Sequence, residues 1–180
     1  MKGDYFVFVG NAYPHKNLER LVKAVVKLNE KQKVVLKISS SRNIFTGRLE
    51  KLIKSQNSSK YIELLGYVSD SDLSKLYKNS VAFVFPTLAE GFGLPPLEAI
   101  RAGTLAVVSD IPVLKEVYQD SVNYFDPTSI ESIAKELEII LKMTADERKK
   151  KILFAQNYIK KYSWLKMAKE TLKIYEGNSK

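Results

Sequence analysis

Glu90 and Glu98 stand with seven residues between them in the run Pro86-Thr-Leu-Ala-Glu90-Gly91-Phe92-Gly93-Leu94-Pro95-Pro96-Leu97-Glu98. A Gly-Phe-Gly turn and a Pro-Pro helix start separate the two acids, and an apolar strand from Val81 to Phe85 leads into the run. Glycine lets a backbone come close to a ligand. Proline suits the first turn of a helix, where its missing N–H is not needed. The free N–H groups of that turn attract an anion such as a phosphate. Carboxylates repel phosphate, so the targets of Glu90 and Glu98 are expected to be neutral hydroxyls. A sugar nucleotide meets both demands, with hydroxyls at its two ends and a diphosphate between them.

A second loop offers the matching cation. It reads Gly10-Asn11-Ala-Tyr-Pro-His15-Lys16-Asn17, after the apolar strand Tyr5 to Val9. Gly10 lets the chain turn off the strand. Lys16 falls at the start of a helix, an unfavourable place for a positive charge, and a ligand anion would remove the conflict. Taken alone, Lys16 reads as a flexible surface lysine; beside the Glu90–Glu98 loop, the ligand reading leads. The loop lacks the second glycine and the Lys-Ser/Thr of a Walker A, and Gly10 does not open a Gly-x-Gly-x-x-Gly fingerprint. Both absences argue against a P-loop enzyme and a nicotinamide dehydrogenase.

The elements that must position these loops alternate along the chain. Apolar runs at Tyr5–Val9, Val34–Ile38, Tyr61–Leu65, Val81–Phe85 and Leu105–Val108 read as strands, with a short sixth at Tyr124-Phe125. Helical stripes lie between them: Leu18 to Leu28, Arg48 to Gln56, a short helix capped by Ser69 or Asp70, Pro95 to Arg101, and Val113 to Tyr118. Helices over Ile130–Lys142, Ala145–Lys161 and Trp164–Tyr175 follow. Strands apolar on both faces and joined by helices predict an α/β, doubly wound parallel sheet, Rossmann-like. Ligands bind such sheets beyond the carboxyl ends of the strands, the edge where both loops would lie.

Composition narrows the chemistry. The chain has 180 residues, no cysteine and one histidine. Disulfides, thiolate metal sites and His-rich metal cages are excluded, and a serine triad is disfavoured. No apolar run approaches membrane-spanning length. Met1-Lys-Gly-Asp leads straight into a strand with no signal-peptide pattern, so a cytoplasmic location is expected. Of the net charge of +9, most lies after Leu141, where eleven Lys/Arg face four Asp/Glu. Arg148–Lys151 and Lys160-Lys161 dominate that region. It reads first as a solvated helix surface, and second as a peripheral contact with anionic lipid at the inner membrane face. Nucleic acid is not expected, because the aromatics sit in apolar runs rather than among the basic residues.

The two loops, their order and their spacing resemble the C-terminal, donor-binding half of retaining GT-B glycosyltransferases of glycosyltransferase family 4, mannosyltransferases among them. That family carries Glu-x7-Glu around Gly-Phe-Gly, and its first loop ends in Lys-Asn or Lys-Gly before a helix. Gly66-Tyr67-Val68-Ser-Asp-Ser-Asp-Leu73, Ala102-Gly-Thr-Leu-Ala-Val-Val-Ser109, Tyr124-Phe-Asp-Pro127 and Tyr162-Ser-Trp164 fit it too. The likeness covers nearly the whole chain. It implies a single nucleotide-sugar-binding domain over residues 1–180. Residues 1–161 would form the core. Residues 162–180 would form a helix that crosses to an acceptor-binding N-terminal domain, either cut away or on another chain.

Roles follow from the resemblance. Glu98 would accept hydrogen bonds from both ribose hydroxyls, and Glu90 would hold a hydroxyl of the donor sugar. The backbone of Gly91, Phe92, Gly93 and Leu94 would contact sugar and phosphate. Lys16, near Gly10 and Asn11, would neutralise the diphosphate as the glycosidic bond breaks. Tyr67 and Val68 would lie near the base. No metal or other cofactor is implied. Many members carry an arginine directly after the first-loop glycine, where this chain has Asn11. His15 could substitute, though it reads more simply as an ordinary loop residue, and Arg42 is a further phosphate candidate. The expected function is transfer of a hexose, mannose from GDP-mannose first, from a GDP- or UDP-sugar to a saccharide or lipid-linked acceptor. The alternatives are a non-catalytic nucleotide-sugar-binding module or a nucleotide-sugar epimerase on the same fold.

Overall fold

The computed structural model describes residues 4–177. The Met1–Gly3 start and the last residues of the expected crossing helix lie outside them. Six parallel strands form one sheet in the order β3-β2-β1-β4-β5-β6. They are β1 (Tyr5–Val9), β2 (Val35–Ser39), β3 (Ile62–Gly66), β4 (Ala82–Phe85), β5 (Ala106–Ser109) and β6 (Asn123–Phe125). The helices are α1 (Leu18–Leu28), α2 (Ile44–Ser55), α3 (Asp70–Lys78), α4 (Leu94–Arg101), α5 (Pro112–Tyr118), α6 (Ile130–Lys142), α7 (Ala145–Ile159) and α8 (Trp164–Gly177).

The winding follows from chirality. Right-handed crossovers carry the chain from β1 outward through β2 to β3; it then returns to the other side of β1 and runs through β4, β5 and β6. Reversing the direction of travel places successive helices on opposite faces. Accordingly α1 packs with α2 and α6, while α4 packs with α3 and α7. With both faces covered, β4 and β5 are buried throughout and β1 through its middle three residues. Phe6, Phe8, Leu36, Ile38, Phe83 and Phe85 carry the centre of the core, each side chain contributing about 1.5–3 kcal/mol through burial.

The expected doubly wound sheet is therefore present, with small shifts at its edges. Val34, Tyr61, Val81 and Leu105 stand one residue ahead of their ladders. Tyr61 and Leu105 still accept from the neighbouring strand, and the Val81 N–H donates to the Tyr5 carbonyl. Helix α2 begins four residues before the expected Arg48. The Asn43 side chain accepts from the Phe45 and Thr46 N–H groups, and Thr46 returns a bond to the Asn43 backbone. This reciprocal cap fixes the helix start regardless of the apolar stripe.

The basic C-terminal region is partly structural. Arg148 of α7 is half-buried and donates to the carbonyls of Val81 and Ile140, and burial lowers its pKa. Lys149, Lys150 and Lys151 remain exposed. Helix α8 is exposed along its whole length, including Trp164, Leu165, Met167, Leu172 and Ile174. Among the described residues no helix is long and apolar enough to cross a membrane.

Candidate functional site

The direction of winding reverses between β1 and β4. In open parallel sheets the crevice for ligands opens at that reversal, beyond the carboxyl ends of the strands. The loop after β1 carries Lys16 and the loop after β4 carries Glu90. These side chains, 74 residues apart in sequence, form an ion pair. It is well shielded, with the two side chains 16% and 14% exposed, and the Lys16 ammonium also lies 5.1 Å from the centre of the Phe85 ring. Lys16 does not open a helix as expected. It closes a 3-10 turn, Pro14–Lys16, just before α1, and Glu90 supplies the negative charge that the sequence reading assigned to a ligand.

Hydrogen bonds lock the two loops together. The His15 carbonyl accepts from the Leu88 N–H at 2.7 Å and from the Thr87 hydroxyl at 3.2 Å. His15 thus contributes through its backbone, while its side chain is exposed beside Tyr13. Asn17 is 4% exposed. Its amide donates to the Pro86 carbonyl at 2.9 Å and the Pro127 carbonyl at 2.8 Å, and its side-chain oxygen accepts from Arg20 at 2.9 Å. One residue therefore ties together the loops after β1, β4 and β6. The sequence showed Asn17 only as the end of a Lys-Asn pair; its left-handed backbone, φ 58°, is a conformation that asparagine tolerates better than most residues.

Gly93 caps α4 with φ +86°. A Cβ there would sit 2.7 Å from a methyl of Leu114, a fully buried side chain of α5. The Gly93 carbonyl also accepts from the buried Tyr118 hydroxyl. Gly93→Ala is expected to lose about 2–3 kcal/mol, from left-handed strain plus the clash, read as a lower urea midpoint. Gly91 is different: its φ is not positive and an added Cβ would meet nothing within 4 Å. The fold itself does not require glycine at 91. Phe92 packs edge-on against Tyr162, with ring centres 5.3 Å apart. Tyr162 is held by its hydroxyl on the Val117 carbonyl and by Arg101 on its own carbonyl. The start of the C-terminal tail thus supports the Gly-Phe-Gly turn.

Apolar residues flank Glu98 in sequence. In α4, Leu97, Ala99 and Ile100 are buried, but Glu98 shares an exposed stripe with Leu94 and Arg101, as helical spacing dictates. Its location therefore does not itself demand a ligand. Partial burial and the nearby Asp70 raise its pKa, while Arg101 and Tyr77 oppose the rise. Tyr67 is exposed and Val68 half-buried in the loop that follows β3. Gly10 donates to the Ser39 carbonyl at 3.0 Å, Asn11 is exposed, and Arg42 stays on the surface after β2. A cavity of about 330 Å3 between α1 and α2 is lined by Tyr13, Asn17, Arg20, Phe45 and Arg48 and reaches none of Lys16, Glu90 and Glu98. Among the described residues, no group of three or more His, Cys, Asp or Glu is placed to hold a metal ion.

Comparison with known proteins places the chain in a family. Residues 1–158 match the family model described as glycosyl transferases group 1. The chain is 31% identical over 176 residues to an O-antigen chain mannosyltransferase B of Escherichia coli, covering 96% of this chain and 45% of that protein. It is 32% identical over 126 residues to the O-antigen chain mannosyltransferase RfbU of Salmonella typhimurium, covering 70% and 35%. The chain thus spans less than half the length of these relatives. Among solved structures, a sucrose-phosphate synthase from Thermosynechococcus elongatus superposes with a TM-score of 0.85 at 18% identity, over 98% of this chain and 46% of that one. TarM does so with a TM-score of 0.82 at 19% identity, over 97% and 35%. At such identities the superpositions establish the shared Rossmann-like domain fold. Combined with the family match across residues 1–158, they make this chain a member of the glycosyl transferases group 1 family, corresponding to its C-terminal domain.

Proposed function

We propose that this chain is the donor-binding half of a retaining hexosyltransferase that moves mannose from GDP-mannose to a saccharide or lipid-linked acceptor. The observation that carries the reading is the meeting of Lys16 and Glu90 at the reversal of the sheet, with the Gly-Phe-Gly turn and α4 on the same edge. Lys16 takes the diphosphate and stabilises the charge that develops on the leaving nucleotide. Glu90, released from Lys16, takes a hydroxyl of the sugar. Glu98 accepts from the ribose hydroxyls, each charge-assisted bond being worth roughly 1.5–3 kcal/mol. The open space over Gly91 leaves room for sugar and phosphate against the backbone of Phe92, Gly93 and Leu94. Tyr67 and Val68 flank the base. Mannose is favoured because the curated relatives named above are mannosyltransferases.

The acceptor is met by protein outside these residues, and α8, with its exposed apolar side chains, is the element that docks there. No metal takes part; Lys16 and the backbone amides of α4 supply the positive field. Calorimetry with GDP, UDP and ADP and their sugars, run in EDTA, tests the reading. GDP and GDP-mannose are expected to bind, and Glu98→Ala to weaken GDP by roughly 10–100-fold. Failure of every nucleotide to bind, or an unchanged affinity in Glu98→Ala, would reject the assignment.

A further inference from the structure

Among the described residues two buried side-chain polar atoms have no hydrogen-bond partner: the Ser40 hydroxyl and the Tyr77 hydroxyl. A buried polar group left unpaired costs about 1–3 kcal/mol, so each such atom calls for a reason. Tyr77 is 2% exposed and sits in α3, which packs on α4. Its backbone and ring are fixed. The Tyr77 carbonyl accepts from the Thr104 hydroxyl at 2.6 Å and the Ser80 hydroxyl at 2.7 Å, and its ring packs edge-on against Phe83 with centres 5.6 Å apart. Only the phenolic end is left over, and it lies beside the Glu98 carboxylate, near enough that each group shifts the other's titration.

We propose that Tyr77 is a positioning residue for Glu98, donating its O–H to the carboxylate from the protein side while the ribose hydroxyls bind from the solvent side. A carboxylate offers about four lone-pair sites on two oxygens, so one bond from Tyr77 leaves room for two from ribose. Glu98 needs such a support. It stands on an exposed stripe of α4 with rotatable bonds of its own, and among the described residues no ion pair within 4 Å holds it. Closing the Tyr77 bond satisfies the one buried group and orients the other at the same time. The charged and titratable groups facing Glu98 are Asp70 at the start of α3, Tyr77 in α3, Arg101 in α4 and Tyr118 in α5. Of these, Asp70 raises its pKa, while Tyr77 and Arg101 lower it. The ionised carboxylate accepts ribose hydroxyls, so affinity is lost as pH falls through the raised Glu98 value, and removing the Tyr77 hydroxyl moves that midpoint upward.

This inference rests on the assignment of Glu98 to ribose, and a double-mutant cycle separates the two. GDP affinity is measured for the 180-residue chain, Tyr77→Phe, Glu98→Ala and the double variant, across the pH range of carboxylate titration. Tyr77→Phe is expected to weaken GDP about 5–10-fold and to move the acid limb of binding to higher pH, with the melting temperature measured alongside to show that the variant stays folded. In the Glu98→Ala background it should change nothing further. A Tyr77→Phe effect below 2-fold, or an equal loss with and without Glu98, overturns the positioning role while the donor reading stands. An unchanged affinity in Glu98→Ala overturns both.

Discussion

The full-length enzyme carrying Lys16→Gln is expected to fold and to transfer hexose about 10²–10³-fold more slowly in kcat. Lys16 is the cation at the sheet reversal, shielded from water and stacked over Phe85. In such a site a fixed positive charge aimed at a developing negative one is worth far more than in water; losing one such stabiliser typically costs about 2.7–4 kcal/mol of the barrier. Glutamine keeps an N–H donor for Glu90, so the carboxylate is not left bare, and the cost in stability is held to about 1–2 kcal/mol. Alanine would leave Glu90 shielded and unpaired, a larger destabilisation, and would confuse folding with chemistry. The two roles proposed for Lys16 separate in steady-state kinetics. A binding role alone raises KM, whereas stabilisation of the leaving diphosphate lowers kcat. A kcat within threefold of the parent would remove Lys16 from the chemical step.

Asn17→Ala is expected to cost about 3–5 kcal/mol of folding free energy, read from urea midpoints at constant slope. The substitution orphans the Pro86 and Pro127 carbonyls and frees Arg20, at about 1–3 kcal/mol for each buried group left unpaired. It also places alanine at φ 58°, which adds about 1 kcal/mol. Asn17→Gly should recover the backbone part and no more. A loss below 1 kcal/mol in Asn17→Ala would mean that water replaces the amide without penalty and that the loops are held elsewhere.

Much of this architecture is legible in the chain because its signals are local and strong. Helix α6 spans Ile130–Lys142 as expected, since its apolar stripe is regular and Ser129 caps its start. The parallel sheet follows from strands apolar on both faces. Other features are not local. The Asn43–Thr46 cap outranks the apolar pattern that set the expected start of α2. The partner of Lys16 lies 74 residues away, and each loop read alone asks for an anion or a hydroxyl rather than for the other. Residues adjacent in a helix point in different directions, so Leu97 and Ala99 say little about the surroundings of Glu98. Tyr77 belongs to an apolar stripe, and nothing in that stripe marks its hydroxyl as the group without a partner.

The sheet order also bears on how the molecule assembles. β1 precedes β4 by some seventy residues in the chain, and the two pair through Phe6 and Ala82 and through Val7 and Phe83. Until the ribosome has delivered β4, β1 has an unsatisfied edge. Pairing between strands so distant along the chain must first close a long loop, which slows folding and lengthens exposure of that edge. Lys16 and Glu90 therefore come together in the same late event that seals the sheet, so synthesis halted before β4 would leave a sticky half-sheet.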